Sequence, residues 1–320
     1  GFLNDFWSHC CGQKQYGETP KGKSLLPRLL CARREGLIMI KKSVQLLMLS
    51  KASKSDEKVL EALKRVKAAG FDSIELNSFM VHPSSFMVRA LTKAAGMGVG
   101  SSGKRDWKSL IEKSGLGVTS LHSDLGSLER NMDGVVEEAN KYGTKRIVIT
   151  GMYRYDYTSY SFVSSLATRL NKCGENLRKS GMELFYHNHN IELTLDEKRR
   201  RALDVLLLET DKENLSFELD TYWLGEAGAD PKEWMKKMGE RMKLWHIADR
   251  GWRSKKDQIT PIVECDSVEL GTGNMPLEEL LDIAKVNRVE EIVLETHKNW
   301  INNDPVASLE ISGKWLKERV

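Results

Sequence analysis

The side chains able to hold a cation or move a proton gather in five short stretches. They are Glu75, the run Tyr186-His187-Asn188-His189 with Glu192 just beyond, Glu218 with Asp220, His246, and Glu295. Each ends or follows a short apolar run, as the terminus of a strand does. Residues two apart on a strand share a face, so Glu218 and Asp220 point the same way while Phe217 and Leu219 point the other. The same alternation turns Val293 and Glu295 inward and Ile292 and Leu294 outward. It sends Leu184 and Tyr186 out, leaving His187 and His189 to face in. Carboxylates and imidazoles that converge on one rim are costly to bury unpaired, and a divalent cation is the economical partner. Asp220, His246 and Glu295 are the expected ligands. Glu75 and Glu218 stand open between that chemistry and pairing with a Lys or Arg, and His122 between substrate contact and filling the rim. His9, His82 and His297 read as hydrogen-bonded structural histidines. Trp223, Trp245 and Trp300 read as core or pocket wall, although a tryptophan at a strand end can stack on a sugar face.

The elements that must position these groups are legible from Lys42 onward, where short apolar runs alternate with longer amphipathic ones. Eight strands are expected, at 43–48, 73–76, 118–122, 146–150, 184–188, 216–220, 244–248 and 292–296. Between them lie helix-like segments such as SDEKVLEALKRVKAAG, where Val59, Leu60, Leu63 and Val66 form one stripe and Gly70 a stop. Two segments open on Asp-Pro, an N-cap followed by proline at the first helical position. Eight strand-then-helix units match an α/β fold of the (β/α)8 TIM barrel type, in which reactive groups sit at the C-terminal strand ends. A doubly wound open sheet is the runner-up. No GxGxxG follows the first strand and no GxxxxGK[ST] is present, which disfavours nucleotide binding.

Composition narrows the function classes. The chain has 320 residues, 29% charged and 40% hydrophobic, and no run of apolar residues long enough to span a membrane. The formal charge is +4, of which residues 1–38 supply most through Lys14, Lys21, Lys23, Arg28, Arg33 and Arg34. The rest is nearly neutral and offers no basic footprint for nucleic acid. Cys10, Cys11 and Cys31 lie in the first 38 residues and only Cys173 and Cys265 beyond, with no CxxC pair or disulfide framework. A reducing, cytoplasmic setting is the expectation. Residues 1–38 mix Gly, Pro and Lys without periodicity and read as a poorly ordered N-terminal extension ahead of a barrel at 39–320.

The motifs YHNHNIEL (186–193), FELDTYW (217–223) followed by GADP (228–231), WHIADRG (245–251), ELGTGNMP (269–276) and IVLETH (292–297) occur in order. Together they resemble the sugar phosphate isomerase/epimerase family of the xylose isomerase-like TIM barrel superfamily, from about residue 40 to the C-terminus. The resemblance implies one divalent ion, manganese by preference with zinc, magnesium or cobalt as alternatives. Its ligands would be Glu, Asp, His and Glu, which carry over to Asp220, His246 and Glu295. For the first ligand Glu192 is the choice and His187 the reserve, because strand 5 reads His187-Asn188-His189 where many members have a glutamate. Ala248 stands where many relatives have lysine, and His297 and Pro276 also depart from the family pattern.

The resemblance further implies a keto sugar or polyol as substrate, with His187, His189, Glu192 and Glu295 in catalysis and Glu75, His122, Trp223 and Glu269 in substrate contact. The expected activity is that of a metal-dependent isomerase or epimerase. A carbon-bound proton next to a carbonyl is removed and the enediolate stabilised by the ion. Histidine has a suitable pKa for the base without tuning. Lyase chemistry on inososes or 3-keto glycosides is the alternative. A DNA-repair nuclease of the same superfamily needs a multi-zinc cluster and a basic groove, and a non-catalytic barrel subunit is the third reading. A homo-oligomer is compatible with each.

Overall fold

The computed structural model describes residues 39–52, 55–82, 105–152, 154–253, 260–261 and 264–320. The expected extension at 1–38 lies outside the described residues. Eight parallel strands close into a barrel: β1 (Lys41–Gln45), β2 (Ser73–Asn77), β3 (Gly117–Ser123), β4 (Arg146–Thr150), β5 (Glu183–His187), β6 (Ser216–Asp220), β7 (Met242–Ile247) and β10 (Glu291–Leu294). β1 pairs with both β2 and β10, which closes the ring. A short antiparallel ribbon, β8 (Asp249–Gly251) with β9 (Asp266–Val268), follows β7 and was not foreseen from the sequence. With three residues per strand, it carries too little periodicity to be read.

Helices join the strands and begin where local chemistry satisfies their first amides. Ser55 Oγ accepts from Lys58 N ahead of the helix Asp56–Ala68, which buries Val59, Ala62, Leu63 and Val66. Asp230 and Asp304 cap the helices Pro231–Met238 and Pro305–Lys317, each with proline at the start. Phe217, Leu219, Ile292 and Leu294 join the main core between strands and helices, as alternation requires. Inside the barrel, Val148, Phe185 and Leu244 make a small separate apolar cluster. Toward the N-terminal end of the strands a polar layer takes over, where Thr119 Oγ1 bonds Ser43 Oγ at 2.6 Å and Glu291 Oε1 at 2.8 Å.

Two local departures from regular pleating decide what faces the barrel interior. β5 ends at His187, so His189 is not on the strand face assigned to it above but in the turn that follows, half-buried. Between β2 and β3 the register slips, with Ile74 opposite Val118 but Leu76 opposite Leu121. Such a bulge inserts one residue and resets the alternation. Thr119 and Ser120 therefore both turn to interior carboxylates, and His122 follows Ser120 inward.

Candidate metal centre

Five of the chain's seven histidines come together at the C-terminal end of the barrel. His187 comes from β5 and His246 from β7, with ring centroids 4.5 Å apart. His122 from β3 lies 5.6 Å from His187 and 5.9 Å from His246. His189 stands 5.0 Å above His187 on the outer side, and His297 reaches in beyond β10. The carboxylates alternate with them: Glu75 from β2, Glu218 and Asp220 from β6, and Glu295 just past β10. Glu75, Glu218 and His246 are fully buried, and His122, His187, Asp220 and Glu295 nearly so.

Two overlapping groups have potential ligand atoms close enough to share an ion. One is His187, Asp220, His246 and Glu295, at the rim; the other is Glu75, His122, Glu218 and His246, deeper in the barrel. At the rim, His246 Nδ1 is 2.8 Å from Glu295 Oε2 and 3.9 Å from Asp220 Oδ2. His187 Nδ1 is buried without a hydrogen-bond partner. Two imidazoles and two carboxylates form a borderline donor set suited to zinc or manganese, so these residues fit the ion implied by the sequence.

Surrounding groups fix the ligands. Asp220 caps the short helix Thr221–Glu226 by accepting from Trp223 N at 3.0 Å. Asn188 clasps the Asp220 backbone from the neighbouring strand, accepting from its N–H at 2.9 Å and donating to its carbonyl at 3.3 Å. The middle residue of the His-Asn-His run thereby aligns the ends of β5 and β6. Gln45 Nε2 donates to Glu75 Oε2 at 2.8 Å, and Ser120 Oγ donates to Oε1.

The electrostatics follow from burial set against these partners. Burial pushes Asp220 up to about 7, with the neighbouring Glu295 adding to it and His246 opposing. Burial raises Glu295 too, but His297 and His246 outweigh it and hold the carboxylate well below its usual range. For His122 burial works against protonation, yet Glu75 and Glu218 prevail and lift it to about 10. His189 is driven down to about 3 by burial and then by His187, which keeps its ring neutral.

Glu192, the sequence's choice of fourth ligand, stands outside both groups. It lies on a 3-10 turn, Ile191–Leu193, that aims its carboxylate back toward the strand. There it accepts from Tyr186 Oη at 2.7 Å and from His189 N at 2.9 Å. Gly151 makes room, since a Cβ at that position would come 2.9 Å from Glu192 Oε1. His187, the reserve, stands in the rim group with Asp220, His246 and Glu295, because β5 carries it inward. Glu269 is also placed elsewhere than the substrate contact expected of it. It accepts from Ile301 N at 2.9 Å and Ser308 Oγ at 2.7 Å and pairs with Arg253. Trp223 stays at the mouth, its ring 5.6 Å from His189 and 6.2 Å from His297.

Asp249 went unnoticed in the sequence. Its carboxylate accepts from Gly271 N and Gly273 N at 2.9 Å and from Met275 N at 3.0 Å, organising the ELGTGNMP loop. No local signal marks it, since 22 residues separate Asp249 from Gly271, although successive backbone amides in glycine-rich turns make anion-binding nests.

Comparison with known proteins agrees with this architecture. The family described as xylose isomerase-like TIM barrel matches residues 63–319. The chain belongs to that family. A sugar phosphate isomerase/epimerase from Parabacteroides distasonis superposes with a TM-score of 0.68 at 19% identity, covering 87% of this chain and 93% of that one. The IOLI protein with a bound zinc atom gives 0.61 at 13% identity, over 88% and 98%. At this identity the likeness is one of fold. In sequence, an inosose dehydratase of Lacticaseibacillus casei is 26% identical over 137 residues, 42% of this chain and 44% of that protein. The matched stretch thus spans less than half of that relative. No helix among the described residues is long and apolar enough to cross a membrane.

Proposed function

We propose that this protein is a divalent-metal-dependent isomerase or epimerase that removes a proton next to the carbonyl of a small keto sugar or polyol. The observation that carries the reading is the convergence of His187, Asp220 and His246 from three strands, with Glu295 from just past a fourth, on one rim. Such a rim is where barrel enzymes of this type hold their reactive groups. That the IOLI protein, of the same fold, carries a bound zinc atom supports a metal-dependent reading. Manganese as the native ion and a cytoplasmic setting belong to the same proposal. A dication held by these four residues supplies positive charge to the substrate's carbonyl and adjacent hydroxyl oxygens, lowering the cost of the negative charge that develops there.

The remaining steps fall to the chain's own side chains. His189 lies outside both ligand groups, its ring 5.0 Å from that of His187, and is the imidazole placed to receive the carbon-bound proton, although burial and His187 make it a weak base. Glu192 holds the His189 backbone amide, and the Tyr157–Tyr186 hydroxyl pair, 3.0 Å apart, holds Glu192 in turn. This makes Glu192 a positioning residue rather than a ligand. Trp223 walls the mouth between His189 and His297 and offers a flat apolar surface to a sugar ring. His122 is too enclosed by Glu75 and Glu218 to meet a sugar directly.

Elimination from an inosose or a 3-keto glycoside begins with the same proton removal, and the resemblance to inosose dehydratase favours it as the second reading. One experiment tests the shared step. The metal-loaded protein is incubated in deuterated water with keto sugars, inososes and 3-keto glycosides, and exchange at the carbon beside the carbonyl is followed by NMR. Exchange without loss of water or glycoside supports the isomerase or epimerase. Exchange with elimination supports the lyase. No exchange with any of them removes both.

A further inference from the structure

The deeper of the two groups has a geometry that the proposed reaction does not use. Glu75 Oε2 lies 3.1 Å from His122 Nε2 and 2.7 Å from His246 Nε2. Glu218 Oε2 lies 3.0 Å from the same nitrogen of His122 and 3.2 Å from that of His246. His187 Nδ1 is 3.3 Å from Glu218 Oε2. All these side chains are more than nine-tenths buried.

At such distances the atoms should be hydrogen bonded, and most are not. His122 Nε2, His187 Nδ1 and both oxygens of Glu218 have no hydrogen-bond partner. Leaving a buried carboxylate with neither oxygen satisfied is expensive, and Glu218 is fully buried. Donor and acceptor atoms that crowd together without alignment are arranged as ligands around a common centre. Ligands of a tetrahedral zinc with bonds of about 2.0 Å stand about 3.3 Å from one another, close to the spacing found here.

We propose that Glu75, His122, Glu218 and His246 form a second cation seat, which takes a borderline dication such as zinc. Its charge balances that of the two buried carboxylates, and its bonds tie β2, β3, β6 and β7 together inside the barrel. His246 belongs to both groups through opposite nitrogens, Nε2 inward and Nδ1 toward the rim. With only the inner seat filled, Nδ1 keeps its proton and donates to Glu295. With both filled, His246 bridges as imidazolate and that proton leaves to solvent as the second ion binds. The inner seat rests on its own side chains and stands whether or not the rim group is catalytic.

The test counts ions on the full chain. The protein is stripped with chelator, reloaded with zinc, desalted, and its zinc-to-protein ratio measured by mass spectrometry, for the wild type, Glu218→Gln and Asp220→Asn. Glu218 belongs only to the inner group and Asp220 only to the rim. The expected result is two ions in the wild type and one in each variant. Cobalt in place of zinc should give visible absorption in Asp220→Asn from the remaining inner site. A wild type that binds a single ion and loses it in Glu218→Gln also supports the inner seat, and overturns the rim site instead. A Glu218→Gln protein that folds normally and binds as many ions as the wild type overturns the inner seat. Should Glu218→Gln fail to fold, His122→Gln replaces it under the same criteria. If neither folds, a wild-type ratio below two overturns the proposal and a ratio of two supports it.

Discussion

Glu75 and Glu295 hold opposite nitrogens of one imidazole, Glu75 Oε2 at 2.7 Å from His246 Nε2 and Glu295 Oε2 at 2.8 Å from Nδ1. The two carboxylates come from opposite sides of the β1 strand, on β2 and just past β10, which β1 joins. The ring is thus fixed in orientation before anything binds. A carboxylate behind a ligating histidine raises its basicity, and its loss typically costs about 10 to 100-fold in metal affinity. Glu75→Gln keeps the shape but weakens that support. Rim-metal affinity should fall even though Glu75 belongs only to the inner group, and an unchanged rim affinity would deny the coupling.

Asp220→Asn and Glu295→Gln should leave the barrel folded while removing an anionic ligand from the rim. Circular dichroism would report the fold and metal titration the site. Wild-type rim affinity in both variants would take these residues out of the ligand set.

His187 and His189 should separate by phenotype. If His187 is the fourth ligand, His187→Asn loses rim metal and activity together. His189→Asn should lower turnover by roughly 10² to 10⁴ with metal occupancy intact. Activity and metal content measured on one preparation distinguish them. A His187→Asn protein with full metal content returns that residue to the role of base, as the strand reading first allowed.

The stability of metal-free protein should fall with rising pH above neutrality. His122 has its folded pKa lifted to about 10 from an ordinary 6.5, after Glu75 and Glu218 overcome the opposing effect of burial. Its protonated form is therefore favoured by folding, so the contribution is complete below 6.5 and is lost on passing upward to about 10. His122→Gln should flatten that part of the profile in chelator-treated protein. Equal slopes in denaturant titrations of the two proteins would contradict this assignment.

Gly273→Ala should disturb the ELGTGNMP loop. A Cβ there would collide with Asp249 Oδ1 and come 2.5 Å from Arg250 O, and backbone cannot move aside as a flexible side chain can. Overpacking of this kind costs about 1–3 kcal/mol. A thermal melt unchanged from wild type would show that the Asp249 hub yields more freely than its contacts suggest.

The parts of the site that alternation governs were legible in the sequence. Glu218 and Asp220, two apart on a strand flanked by apolar residues, could only share the inner face. Asp-Pro pairs marked two helix starts because both residues act locally. Glu192 was not legible, since its direction depends on a 3-10 turn of three residues whose hydrogen bonds run to Tyr186 and His189. His189 reads as continuing the inward face of β5 although it follows the expected strand 184–188, and in the structure β5 ends at His187 and His189 lies in the turn. Nothing in the run LHSDL distinguishes a bulged partner strand from a regular one, so the inward turn of His122 could not be derived either.

The slip between β2 and β3 has a consequence for how this barrel tolerates change. Upstream of it, odd-numbered positions of β3 such as Thr119 address the lumen, while downstream the even-numbered ones, Ser120 and His122, do. Parity is switched by a single residue. Removing Thr119 or Ser120 would restore an unbroken register in which Leu76 still faces Leu121 and Asn77 still faces His122, at the cost of one of the two hydroxyls that address interior carboxylates. The extra residue thus lends the lumen a second neighbouring hydroxyl that a regularly pleated strand would have sent outward.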